Sequence, residues 1–160
     1  MPTPITLLCL ILAANAAPIL LWLMLGERLG RSLDGGRTLP DGRPVFGPAK
    51  TWRGVTSAPV VCATIAALLG LSPALGAAIG LAAMGGDLLS SFLKRRLGLA
   101  SSRPAPGLDQ IPESLFPALL AAGPLDLGPG DVLLVVVLFF VLELVLSHLL
   151  YRLGLRRYPI

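Results

Sequence analysis

Five apolar segments alternate with polar connections along the chain, and their lengths predict transmembrane helices. They cover about residues 4–25, 55–71, 73–93, 111–125 and 132–150. About 20 apolar residues are needed to cross the hydrocarbon of a bilayer as a helix. The fourth segment is shorter and carries Pro112, Pro117 and Pro124, so a tilted crossing and a re-entrant helix are both open. The pattern predicts an all-α integral membrane protein with about five transmembrane helices in a single domain.

The composition supports a membrane protein over a soluble one. Of the 160 residues, 54% are hydrophobic and only 14% are charged. The mean hydropathy of +0.79 is far above that of an ordinary soluble domain. Membrane lipid is therefore an expected partner, and nucleic acid is not.

The basic residues predict how the chain is oriented in the membrane. All 13 lie in alternate connections or in the carboxyl-terminal tail: Arg28, Arg31, Arg37, Arg43, Lys50, Arg53, Lys94, Arg95, Arg96, Arg103, Arg152, Arg156 and Arg157. Because basic loops stay in the cytoplasm, the amino terminus is expected outside a cell (inner or plasma) membrane. The first basic loop, Gly26–Gly54, is too long for a simple turn, and both cytoplasmic loops are expected to be functional.

An acid and a run of cations mark the third predicted helix. Asp87 lies in the apolar segment, two helical turns before Lys94 and on the same face of the predicted helix. Ionisable residues within a membrane span are costly and suggest a functional site by default. Two structural alternatives remain open: Asp87 could form an ion pair that only ties helices together, and the Lys94-Arg95-Arg96 run could be only a positive-inside anchor.

A second acid, Asp109, precedes the fourth segment and is ordinary by itself. With Asp87 it forms a candidate Mg²⁺ site, because this ion is commonly held by one or two carboxylates together with substrate phosphates. Asn15, in the middle of the first span, is either an interhelical hydrogen-bonding residue or a substrate contact. For Glu143, Ser147 and His148 in the last span, interior polar contacts are expected. Motifs for P-loop, zinc-protease and nucleophile-elbow chemistry are missing from the sequence.

Several short motifs in a fixed order resemble the CDP-archaeol synthase family, membrane cytidylyltransferases related to CDP-diacylglycerol synthases. The resemblance covers about Asn15 to Gln110 by motif and the remainder by its pattern of spans. The motifs are Asn15 with Pro18, Asp34-Gly35-Gly36, Asp41-Gly42-Arg43, Lys50-Thr51-Trp52-Arg53-Gly54, Gly86-Asp87, Ser91-Phe92-x-Lys94-Arg95-Arg96-x-Gly98 and Leu108-Asp109-Gln110.

The resemblance implies a Mg²⁺-dependent enzyme that transfers a cytidylyl group from CTP to a membrane lipid phosphate and releases pyrophosphate. It assigns Asp87 and Asp109 to the metal. It assigns the cations Lys50, Arg53, Lys94 and Arg95 to phosphates, and Thr51, Trp52 and Gln110 to the nucleotide site.

One departure from the family pattern concerns the residues after Gln110. The family commonly continues into a second acid and an aromatic residue, whereas this chain continues into Ile111-Pro112-Glu113. Either Glu113 replaces that acid from a shifted position or the site has one carboxylate fewer. Two other function classes remain open on the residues alone: a non-catalytic scaffold whose basic loops bind anionic lipid, and a small lipid or solute transporter.

Overall fold

The protein is described by a computed structural model that covers residues 3–26, 28, 30–101 and 103–152. Over these residues the chain forms five α-helices and no β-strand, with two isolated bridges in the first loop. The helices are α1 (Pro4–Leu25), α2 (Trp52–Leu68), α3 (Pro73–Arg96), α4 (Gln110–Ala122) and α5 (Pro129–Arg152). The predicted all-α fold is confirmed. Of the basic residues, Arg156 and Arg157 lie outside the described residues.

Local capping explains where α1, α2 and α3 begin. Thr3, Thr51 and Ser72 each accept a hydrogen bond from a backbone amide in the first turn of the helix that follows. Thr51 starts α2 at Trp52, three residues before the apolar segment that predicted it. The helix α3 continues through the cationic run, so Lys94, Arg95 and Arg96 form its last turn, where cations interact favourably with the helix dipole.

Three helices are long and apolar enough to cross a membrane by themselves: α1, α3 and the part of α5 at Pro129–Leu149. The helix α2 is a shorter apolar helix of 17 residues. With 13 residues, α4 is about 20 Å long and shorter than the hydrocarbon layer. The membrane-embedded character is clear from these helices, whereas the number of full crossings and the side on which each loop lies stay predictions.

Glycines let α2 and α3 pack at backbone distance. A Cβ atom added to Gly80 would lie 2.7 Å from the carbonyl oxygen of Ala58, and one added to Gly76 would lie 2.5 Å from Cβ of Ala66. These two glycines therefore serve the packing of the two helices. In turn, α4 packs against α3, and α5 packs against α1 and α4.

Candidate active site

The centre of the site is an ion pair between the first loop and the middle of α3. Nζ of Lys50 lies 2.6 Å from Oδ1 and 2.5 Å from Oδ2 of Asp87. Both side chains are partly buried, with exposed fractions of 23% and 19%. Lys50 is held in place by its backbone, since its carbonyl oxygen accepts the amide of Leu33 at 2.7 Å. The sequence predicted both residues as site residues, and the fold brings them into contact.

The start of α4 lies directly on the backbone of Gly86. A Cβ atom on Gly86 would be 2.6 Å from the backbone nitrogen of Glu113 and closer still to the carbonyl of Pro112. This approach places Glu113 next to Asp87. Two carboxyl groups this close repel each other unless a proton or a cation lies between them. Of the two alternatives left open by the sequence, the geometry favours Glu113 as the second acid of the site.

The other predicted acid, Asp109, pairs with the cationic end of α3. Nζ of Lys94 lies 2.7 Å from Oδ1 of Asp109, and Oδ2 accepts the amide of Ala105 at 3.0 Å. The buried hydroxyl of Ser90 donates to the Gly86 carbonyl at 2.9 Å and approaches the Asp109 carbonyl at 3.5 Å. Ser90 therefore bridges the elements that carry the two acids.

The remaining predicted residues have distinct local roles. Gln110 is buried, and its side-chain oxygen accepts the amide of Gly107 at 2.9 Å, which orders the second loop. Thr51 caps α2. Trp52 is 55% exposed beside the first loop. Arg95 is only 6% exposed, and its guanidinium donates to the carbonyl of Ala100 at 2.9 Å.

Two predicted residues make contacts away from the acids. The guanidinium of Arg53 donates to the carbonyls of Gly26 and Arg28, just after α1. The side-chain amide of Asn15 donates to the Ile11 carbonyl of its own helix at 3.0 Å, so this contact is not interhelical. Neither set of contacts links Arg53 or Asn15 to the two acids, and their site assignments stay predictions.

A structural acid, Asp34, orders the loop that carries Lys50. Its carboxylate accepts backbone amides from Gly36, Phe46 and Gly47 at 2.9 to 3.0 Å. Burial raises the pKa of Asp34, but these three hydrogen bonds outweigh that effect and hold the pKa below its ordinary value of 3.8. The Asp34 carboxylate therefore stabilises the conformation of the loop. The motif Asp34-Gly35-Gly36 by itself does not reveal the contacts of Asp34 with Phe46 and Gly47, which are 12 and 13 positions away.

The donor set fits a Mg²⁺ ion completed by substrate. Among the described residues, no three His, Cys, Asp or Glu side chains are grouped closely enough to hold a metal by themselves. Mg²⁺ does not need such a group, since one or two carboxylates with phosphate oxygens and water suffice. Asp87 and Glu113 are neighbouring acids. In this structure both oxygens of Asp87 contact Lys50, and those of Asp109 contact Lys94 and the amide of Ala105. Metal binding by Asp87 and by Asp109 stays a prediction.

Two surface depressions adjoin these residues. One, of about 400 Å³, lies between the first loop and the start of α2 and is lined by Arg31, Ser32, Leu33, Asp34, Gly35, Arg37, Val45, Phe46 and Trp52. The other, of about 570 Å³, is a mostly apolar groove lined by Pro106, Leu144, Val145 and His148. The expectation of an interior contact for His148 is wrong, because its side chain is exposed in this groove, whereas Ser147 is buried.

Comparisons with known proteins agree on one family. The CarS-like family of CDP-archaeol synthases matches residues 5–160. A CDP-archaeol synthase of Hyperthermus butylicus is 43% identical over 70% of this chain and 68% of its own length. One of Thermococcus onnurineus is 35% identical over 91% of this chain and 89% of its own length. A solved structure of an intramembrane enzyme for archaeal membrane lipids biosynthesis superposes with a TM-score of 0.70 at 31% identity, covering 87% of this chain and 89% of that one.

Proposed function

The chain belongs to the CDP-archaeol synthase family, and we propose that it joins the cytidylyl group of CTP to an archaeal ether-lipid phosphate and releases pyrophosphate. Family membership by itself identifies a membrane enzyme that forms a CDP-lipid. Family membership supports this function over the scaffold and transporter alternatives. The ether lipid is favoured over phosphatidate because the relatives are named for archaeol and archaeal membrane lipids.

The observation that carries the proposal is a set of two lysine–carboxylate ion pairs, each of which joins α3 to one of the two basic loops. Lys50 comes from the first loop to Asp87, and Lys94 at the end of α3 meets Asp109 from the second loop. Each lysine is neutralised by a carboxylate in the structure. Phosphate groups entering the site offer these lysines alternative anionic partners, and preorganised cations stabilise the charge of a reacting phosphoryl group.

The reaction needs positioning more than covalent work by the protein. An oxygen of the lipid phosphate attacks the α-phosphorus of CTP, a new P–O bond forms, and the bond to the β-phosphate breaks. Lys50 and Lys94 would hold phosphate oxygens and orient the attacking and leaving groups. Asp87 and Glu113 would hold Mg²⁺, which supplies Lewis-acid neutralisation of the phosphate charge when bound.

The two depressions suit the two substrates. The cleft beside Trp52 and Phe46 offers aromatic faces that can stack on a base, and Arg31 and Arg37 add positive charge. The apolar groove beside Pro106 suits the chains of a lipid. Pro106 follows Ala105, whose amide binds Asp109, so a phosphate at the head of the lipid would lie near the Lys94–Asp109 pair.

A turnover assay with matched variants tests the proposal. Purified protein with CTP and Mg²⁺ is incubated with a panel containing an ether-linked isoprenoid glycerol phosphate and a phosphatidate, and both pyrophosphate and CDP-lipid are measured. Asp87→Asn should lose nearly all turnover and remain folded. Asp126→Asn is the control, because Asp126 is exposed, lies beyond α4, and has a φ of 52° that asparagine tolerates.

Two results would contradict the proposal. If no lipid phosphate yields a CDP-lipid, the function is wrong. If Asp87→Asn is destabilised but fully active per folded molecule, Asp87 forms only a structural pair with Lys50. A structural pair predicts a loss of about 3–5 kcal/mol when one buried partner is removed.

A further inference from the structure

The tip of the first loop is bound to the end of α3 by Arg96. Its Nη1 donates to Oδ2 of Asp41 at 2.6 Å. Its Nη2 donates to the carbonyls of Arg43 and Pro44 at 3.2 and 2.5 Å. The guanidinium also lies 5.3 Å from the centre of the Phe92 ring. A planar fork that makes three such contacts is specific to arginine, so Arg96 does more than add charge at a membrane surface.

Arg43 makes the reciprocal contact from the loop to the helix. Its Nη1 donates to the carbonyl of Arg96 and lies 3.4 Å from that of Arg95, two of the last carbonyls of α3. Both carbonyls lie at the negative dipole end of the helix, so a cation is well placed there. Gly98, at φ +75°, leaves room for Arg43, since a Cβ atom there would lie 3.1 Å from its Nη2. We call Arg43 and Arg96, with these contacts, the arginine clasp.

The clasp is connected to Lys50 by an ordered run of backbone. Within the tip, the amide of Leu39 donates to the Arg43 carbonyl at 2.9 Å, and that of Val45 donates to Arg37 at 3.2 Å. Gly47 follows two residues later, and its carbonyl accepts the amide of Lys50 at 3.2 Å. These hydrogen bonds order the backbone between Arg43 and Lys50, which gives a direct path from the clasp to Lys50.

We propose that Arg43 and Arg96 are positioning residues that hold the first loop over the end of α3 and so keep Lys50 at Asp87. The role in turnover rests on the proposed function, because it assumes that Lys50 binds a substrate phosphate. The claim that the clasp keeps Lys50 close to Asp87 is independent of the proposed function.

The clasp should act on the apparent affinity for CTP. Without it the loop samples open positions, and the apparent KM rises as the competent fraction falls. At saturating CTP the substrate itself selects the ordered loop, so kcat is retained. Arg96→Gln removes the ion pair with Asp41 and disturbs the two carbonyl contacts. It should raise KM for CTP at least about ten-fold, the effect of losing one charge-assisted hydrogen bond. Arg103→Gln is the control, because Arg103 is an exposed cation of the neighbouring loop.

A zero-length crosslink measures the position of Lys50 without any turnover. A carbodiimide joins an amine and a carboxylate only in contact, and the Lys50–Asp87 pair meets that condition. The yield of the Lys50–Asp87 crosslink is measured by peptide mass spectrometry. Arg43→Gln and Arg96→Gln should lower it several-fold, and Arg103→Gln should leave it unchanged.

A glycine pair tests the clasp with both arginines in place. Gly98→Ala pushes on Arg43, whereas Gly70→Ala at φ +73° introduces the same backbone strain with no atom within 4 Å. Gly98→Ala should lower the crosslink yield more than Gly70→Ala does. If the arginine variants fail to fold, the crosslink yields of the two glycine variants still decide whether the clasp positions Lys50.

The outcomes separate the two proposals. Crosslink yields that match the controls within two-fold overturn the clasp as a positioning element. A lower yield with an unchanged KM for CTP refutes the proposed effect of the clasp on CTP binding, and so does a lower kcat at unchanged KM. A wild-type protein that crosslinks well but forms no CDP-lipid refutes the proposed function, while the yields still decide whether the clasp positions Lys50.

Discussion

Two adjacent glycines in α3 give the sharpest test of how the site is assembled. A Cβ atom on Gly85 meets nothing within 4 Å, whereas one on Gly86 meets the backbone of Pro112 and Glu113. Both positions are helical and one residue apart. The variants Gly85→Ala and Gly86→Ala therefore add the same methyl group to the same helix. They differ only in whether that methyl group meets the backbone of α4.

The expected sizes follow from these contacts. Ordinary contact begins at 3.4 Å, and the 2.6 Å to the Glu113 nitrogen means that the start of α4 must retreat by about 1 Å. Overpacking of this kind costs about 1–3 kcal/mol. A misplacement of about 1 Å at a reacting centre can lower turnover roughly 100-fold. Gly85→Ala should instead be neutral or stabilise by up to about 1 kcal/mol through helix propensity.

Thermal unfolding in detergent and CTP turnover should be measured on the same preparations. We expect Gly86→Ala to unfold at lower temperature and to lose most activity per folded molecule, while Gly85→Ala keeps both. If the two variants behave alike, α4 does not depend on the missing side chain at Gly86, and the contact between Glu113 and Asp87 is not what assembles the site.

Three further predictions concern orientation, the cationic run and the first loop. A reporter fused at Gly35 should be cytoplasmic and one at Ser72 outside, and a cytoplasmic signal at Ser72 would refute the five-span topology. Arg95→Ala should lower turnover without loss of membrane insertion, whereas Arg152→Ala should leave turnover unchanged. Equal turnover in the two variants would mean that the Lys94-Arg95-Arg96 run only anchors the helix at the membrane surface. Asp34 has a lowered pKa, so its carboxylate stabilises the loop above pH 3.8, the ordinary value, and this contribution is lost as the pH falls through the lowered pKa. The stability difference between wild type and Asp34→Asn, measured by denaturant unfolding, should thus be present at neutral pH and vanish in acid, and a difference that persists in acid would contradict this role.

The helices were predictable because hydrophobic runs and caps are local signals. The first predicted span coincides with α1, and Pro73 begins both the third predicted span and α3. The start of α2 was placed three residues too late, because Thr51 caps a polar first turn that the apolar pattern does not include. Element boundaries follow such side-chain contacts more than average hydropathy.

The site was predictable in its residues but not in its pairings. Helical spacing put Asp87 and Lys94 on one face, yet each pairs with a residue from a loop: Asp87 with Lys50, and Lys94 with Asp109. The cation Arg96 could be assigned from sequence only as an anchor. Its contacts with the first loop join residues more than 50 positions apart, which no local pattern encodes.

The position of α5 has a consequence for how the protein is made. The two lysine–acid pairs, Glu113 and the loop hydrogen bonds around them all lie before α5, which packs against α1 and α4. As the chain leaves the ribosome, every one of these charged groups is present before α5. Their opposite charges can neutralise one another early, and α5 then brings a largely apolar surface to these polar groups.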